Sequence, residues 1–176
     1  MIKPLSFRKR APDVATPEIL AALEARLNFH FPPAFVEFCS KWNGGFLNED
    51  SRFYPVPPTF LEFYEEFKEG GVFIDTLFGA TEKLPHCGLL KEYTMLGEFS
   101  KLVIPIALNL FGNRAVLRAD SPMGFVYWWD HELWETSKNP DAPGNFAERP
   151  HLIPIAQDLE SFYNSLTSDP DETSNM

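Results

Sequence analysis

Three residues, Asp130, His131 and Glu132, close the stretch GNRAVLRADSPMGFVYWWDHE at positions 112–132. Two carboxylates and an imidazole can hold a divalent metal or move a proton. Whether they act together depends on the backbone that carries them. The residues FVYWW are β-prone, and side chains alternate faces along a strand. Phe125, Tyr127, Trp129 and His131 therefore fall on one side, and Val126, Trp128, Asp130 and Glu132 on the other. Both acids point away from the histidine. A metal site would need ligands from elsewhere, and no spacing identifies them. Aromatics on both sides predict a strand covered twice, with the polar trio where it leaves the sheet. The expectation is a strand end, with no catalytic residue and no metal. A small hydrolase built on Asp130, His131 and Glu132 is the reading this argues against.

The other candidate motifs are weaker. The sequence holds no GxSxG, no HExxH and no glycine-rich phosphate loop. The turn Phe111–Gly112–Asn113 has a single glycine, and Gly44–Gly45 ends a helix instead of opening one, so neither cradles phosphate. His30, His86 and His151 are scattered. Cys39 lies among core-like residues in FVEFCSKW, Cys87 follows a turn-like PHC, and no CxxC pair exists. Both are read as thiols in a reducing compartment. No cofactor is expected.

The elements that must position these residues follow from periodicity. In ATPEILAALEARLNF, Thr16 is a candidate N-cap with Pro17 at the first helical position. Ile19, Leu20, Leu23 and Leu27 are placed on its apolar face. Pro32 and Pro33 open a second helix, AFVEFCSKWNGG, with a stripe of Phe35, Phe38, Cys39 and Trp42. Gly44–Gly45 closes it in a left-handed cap. A third helical stretch, PTFLEFYEEFKEGG, carries Phe60, Phe63, Tyr64 and Phe67. After residue 100 the apolar runs LVIPIALN, NRAVLRAD, GFVYWWDH and HLIPIA read as strands, with SPMG as a hairpin turn. QDLESFYNSL is a closing helix with Leu159, Phe162, Tyr163 and Leu166 on one face. The turn-rich stretch 133–150 is long for a loop, and residues 168–176 form an acidic, disordered tail. Helices first and strands later predict an α+β domain. Residues 1–15 are assigned to an N-terminal extension.

Composition sets the outer limits. The 176 residues suit one domain, and seventeen phenylalanines supply a large core. No run of eighteen apolar residues would cross a membrane, and MIKPLSFRKRAPDV lacks the apolar middle of a signal peptide. The expected location is cytoplasmic. Fifteen basic residues against twenty-five acidic ones give a net charge of −10. Lys3, Arg8, Lys9 and Arg10 concentrate four of the positive charges in the first ten residues, leaving eleven against twenty-five beyond them. Such a body repels phosphate backbones and attracts basic partners.

Several segments, in order, resemble the SUKH superfamily, which joins fungal cell-wall regulators and bacterial toxin-immunity proteins. LEARLNFHFPPAFVEFCSKWNGG is similar to its opening pair of helices. Phe31–Pro32 stands where many members have Leu-Pro, and Asn43, Gly44 and Gly45 match its Asn-Gly-Gly closure after Trp42. IPIALNLFGNRAVLRAD resembles a further element ending at Asp120. GFVYWWDHE is similar to its G-x-V-Y-x-W-D-H-E strand through Gly124, Val126, Tyr127, Trp129, Asp130, His131 and Glu132. IAQDLESFYNSL resembles its closing helix. The resemblance covers residues 16–167. It implies a twisted, mostly antiparallel sheet with helices packed against it. It also makes the WDHE end a feature of the fold, because a motif that recurs among proteins with different targets carries no shared reaction.

The function so implied is binding. Bacterial members resemble antitoxins that occupy a toxin, often a nuclease or other nucleic-acid enzyme, and fungal members look like signalling scaffolds. An acidic body fits a toxin whose cleft must be basic to bind nucleic acid. The alternative is a non-catalytic scaffold of the cell-wall-signalling type. The expected partner is a cognate protein toxin with a basic surface, met by a monomer or weak homodimer that binds neither nucleic acid nor membrane. Candidate contact residues are the acids in the segments that depart from the family: Glu49, Asp50, Glu62, Glu65, Glu66, Glu135 and Asp141.

Overall fold

In the computed structural model of the chain, residues 1–51, 53–55, 71–97, 102–118, 124–130 and 152–167 are described. Strand β1 (Phe7–Arg10) precedes helices α1 (Pro17–Leu27) and α2 (Pro33–Lys41). Short strands follow: β2 (Gly45–Leu47), β3 (Phe53–Pro55), β4 (Gly71–Phe73) and β5 (Thr76–Leu77). Helix α3 (Leu89–Met95) leads to β6 (Val103–Leu108), β7 (Arg114–Arg118), β8 (Val126–Trp129) and β9 (Leu152–Ala156), and α4 (Leu159–Asn164) follows.

Seven strands form one sheet in the order β1-β2-β5-β6-β7-β8-β9, and β3 pairs with β4 separately. Every one of these strand pairings is antiparallel. The architecture is α+β, as the sequence predicts. The order of elements differs from the expectation of helices first and strands later, since five short strands precede residue 100. β2 and β5 have three and two residues, too few to show a period. Residues 7–10, assigned above to an extension, form an edge strand of the sheet.

The two faces of the sheet are both covered. Ala115, Leu117, Val126 and Trp128 join a large core with Leu20, Leu23 and Leu27 of α1, Phe35, Phe38 and Cys39 of α2, and Phe162 and Tyr163 of α4. Val116 and Trp129, one residue out of step, join Val103 in a second cluster with Leu96, Tyr127 and Leu152. That alternation is the strand period, and it matches the reading of a strand covered twice. Trp128 is fully buried, so truncating it should cost about 3–5 kcal/mol. The β3–β4 pair is tied to the sheet by Tyr54, whose hydroxyl donates to the Ile155 carbonyl at 2.7 Å.

The helix termini follow their sequence signals. Thr16 caps α1, its Oγ1 accepting from the Ile19 N–H at 3.4 Å. Asp158 does the same for α4, accepting from the Ser161 N–H at 2.6 Å. Ile19 is a correction to the predicted stripe: it is 41% exposed. It flanks a narrow buried face set by Leu20, Leu23 and Leu27. The predicted third helix, PTFLEFYEEFKEGG, lies almost wholly outside the described residues, and its last glycine, Gly71, opens β4. The stretch 133–150, the SPMG turn apart from Gly124, and the acidic tail also fall outside them.

Candidate partner-binding edge

The strand registers bring several connections to one end of the sheet. Phe7 at the start of β1 faces Leu47 at the end of β2. The Leu47 N–H donates to the Asp75 carbonyl at 2.8 Å, and the Asp75 N–H donates to the Leu108 carbonyl at 2.9 Å. Leu108 faces Arg114, Arg114 faces Trp129, and Trp129 faces Leu152. This end therefore gathers Asn48–Ser51, Asp75, the β6–β7 turn at 109–113, and Asp130.

Two of the predicted contact acids lie here. Glu49 and Asp50 are exposed on a single 3-10 turn, Glu49–Ser51. That turn is pinned to the residue before β1. Asn48 donates through its backbone N–H to the Ser6 carbonyl (3.0 Å) and through Nδ2 to Ser6 Oγ (2.9 Å), while the Ser6 N–H donates to Ser51 Oγ (3.0 Å). Asp75 beside it pairs with Arg8 at 2.7 Å. The other predicted contact acids, Glu62, Glu65, Glu66, Glu135 and Asp141, lie outside the described residues.

The β6–β7 turn is the best-defined part of this edge. Asn109 and Asn113 are buried, at 3% and 6% exposure. Asn109 Oδ1 accepts from the backbone N–H of Phe111 at 2.9 Å and of Asn113 at 2.8 Å. The Asn109 N–H donates to the Asn113 carbonyl at 3.0 Å, and Gly112 takes the positive φ of 92° that the turn needs. Arg114 props the turn by donating from Nη1 to the Gly112 carbonyl at 2.6 Å. Its Nε meets Glu92 Oε1 of α3 at 2.5 Å, and its guanidinium lies 5.1 Å from the centroid of the Trp129 ring. Leu110 and Phe111, at the tip, are 72% and 71% exposed. The sequence reading treated this turn only as a failed phosphate loop and missed the exposed pair. The signal available was Asn-x-x-Gly with two large apolar residues at the x positions.

Of the motif residues, Trp129 and Asp130 lie at this end, Trp129 beneath Arg114 and Asp130 just after β8; the other described ones fall elsewhere and pack the chain. Trp42 is the C-cap of α2 and only half-buried, against Phe38 at 6.0 Å and Phe7 at 6.5 Å. It is therefore not the buried anchor of the α2 stripe. The left-handed closure begins one residue earlier than the glycines: Asn43 has φ 55° and Gly44 φ 96°. A Cβ on Gly44 would stand 2.9 Å from the Cys87 carbonyl oxygen. Gly45 presses on β1, where a Cβ would meet the Lys9 carbonyl oxygen at 2.7 Å. Gly124 takes φ 70° against Pro32. Trp129 and Asp130 are buried at the end of β8, while Asp120, His131 and Glu132 lie outside the described residues. Among the described residues, no three of His, Cys, Asp and Glu converge as metal ligands would. No helix among them is long and apolar enough to cross a membrane.

The sequence profile of the SMI1 / KNR4 family (SUKH-1) matches residues 14–165. The chain belongs to this family. It is also similar to the SPbeta prophage-derived uncharacterized protein YokK of Bacillus subtilis (strain 168), with 27% identity over 170 residues. That match covers 93% of this chain and 80% of the relative. The SUKH resemblance read from the Asn-Gly-Gly closure and the VYWWD strand is thus the correct one.

Proposed function

We propose that this SUKH-1 protein is a non-catalytic cytoplasmic immunity protein. It binds a cognate toxin with a basic active cleft, such as a nuclease, and occludes that cleft. The observation that carries this reading is the edge on which the pinned acidic turn of Glu49 and Asp50 stands at the same end of the sheet as a rigid apolar tip. Acids on ordered backbone steer a basic partner and fix its register, and apolar groups beside them supply affinity. The net charge of −10 extends the same field over the molecule. A relative of prophage origin fits a protein carried in conflict between genomes. No cofactor or metal enters this account.

Recovery of the tagged full chain from its producing cells tests it. A basic protein should accompany it in equimolar amount, and that protein expressed alone should arrest growth unless this chain is co-expressed. A partner whose activity is untouched by the chain would favour the scaffold alternative.

A further inference from the structure

The exposed pair at the β6–β7 turn has no role in making that turn. The fold there is specified by Asn109, which opens the turn and accepts two backbone N–H groups, by Gly112 at φ 92°, and by Asn113, which closes it. Asn first and Gly fourth are the residues such a turn favours, and the two positions between them accept nearly any side chain. Polar residues there would be neutral to the fold and better for solubility. This acidic chain instead places Leu110 and Phe111 side by side at more than 70% exposure.

The backbone beneath them is unusually well held for a loop tip. Two side-chain acceptor contacts from a buried Asn109, the Asn109–Asn113 backbone bond and the Arg114 strut to Gly112 fix it before any partner arrives. Arg114 is itself anchored to Glu92. Preorganisation of this kind removes the ordering cost that weakens loop-mediated binding.

We infer that Leu110 and Phe111 are the anchor of the interface, inserting into an apolar pocket on a protein partner whose pocket rim is basic. This rests on the binding function proposed above and names the residues that supply its affinity. The charge around the tip selects the occupant. Among the described residues Glu49 and Asp50 stand exposed at the same end of the sheet, while the Asp75 charge there is balanced by Arg8. A second copy of the chain docked tip to tip would bring those acids together in a molecule already at −10. An anionic lipid surface would meet the same repulsion. A basic protein would not.

Photo-crosslinking tests this in the full chain. p-Benzoylphenylalanine is placed at position 111 or, as a control on α2, at exposed position 36, and the chain is irradiated in its producing cells. The adduct at 111 should be a basic protein, cross-linked through a peptide that combines apolar residues with Lys or Arg. Affinity of that purified protein for the Leu110→Ser/Phe111→Ser variant should fall about a hundredfold or more, with the melting temperature unchanged. A self-adduct at 111, or sedimentation of the chain with phosphatidylserine vesicles that the variant abolishes, would overturn the inference. So would a partner caught at 36 whose affinity ignores the double substitution, and that result would leave the binding function standing. Absence of any partner at either position, together with no protection of cells from a toxin, would remove both.

Discussion

Asn43 Oδ1 accepts the backbone N–H of Ala80 at 2.8 Å, across 37 positions of sequence. The residue that turns α2 into its left-handed exit thus also holds the segment after β5. The neighbouring backbones are so close that Gly44 and Gly79 cannot take a Cβ without moving Cys87 or Asn43. The Asn-Gly-Gly motif is a place where main chains meet, and its identity is dictated by that contact.

Replacing Asn43 with Ala leaves the Ala80 N–H without its acceptor. The expected loss is about 2 kcal/mol, or roughly 4–8 °C in melting temperature for a chain of this size. Gly44→Val adds a β-branched residue at φ 96° and should cost at least as much. Thermal melts of both variants check this. Unchanged melts would mean the closure is not what holds these segments.

The Arg114–Glu92 pair is mostly buried, at 15% and 10% side-chain exposure. Removing one partner strands a charge, so Glu92→Leu should destabilise by roughly 3 kcal/mol. Glu92→Leu/Arg114→Leu should recover part of that loss, since neither charge is then left behind. Denaturant titration of the single and double variants measures the coupling, and additive losses would show that the pair is incidental.

Cys39 and Cys87 are both free and fully buried, and burial pushes each thiol from 9.0 up to about 12. Burial likewise raises the Tyr54 hydroxyl from 10.0 to about 12, with the Asp158 charge adding to it. A raised folded value favours the protonated form, so these groups contribute fully below their unfolded values and lose that contribution as pH climbs toward 12. Stability should hold up to about pH 9 and fall between about pH 9 and 12. At pH 8 the native protein should react negligibly with a thiol reagent, and the denatured protein with two equivalents.

Legibility in the sequence tracked the length and regularity of each element. Thr16–Pro17 and the stripe of Phe35, Phe38 and Cys39 fixed the first two helices because caps and 3.6-residue spacing are local signals. Tyr127 to Trp129 fixed β8 for the same reason at period two. β2 and β5 were hidden because two or three residues show no period, and α3 because Leu89–Met95 makes only two turns. Trp42 and Ile19 were placed deeper than they lie, since composition gives a face but not how far a neighbour covers it. The candidate edge was the least legible part. Glu49 and Asp50 could be named as acids, but only the registers bring them to the end of the sheet that carries Leu110 and Phe111.

Electrostatic steering by that edge predicts a salt-dependent association rate with the partner. The Debye length shrinks from about 30 Å at 0.01 M to about 8 Å at 0.15 M salt. Stopped-flow association should slow over that range, and Glu49→Gln/Asp50→Asn should slow it further at low salt while leaving dissociation nearly unchanged. A rate indifferent to both would assign recognition to the apolar tip alone.

The claim that this protein neutralises its partner by occlusion is tested most directly by titrating the purified chain into the purified partner and following cleavage of nucleic acid. Activity should fall linearly to near zero at one equivalent of chain, and excess nucleic acid added first should delay inhibition by competing for the same cleft. A partner that stays fully active in a stable 1:1 complex would contradict the account.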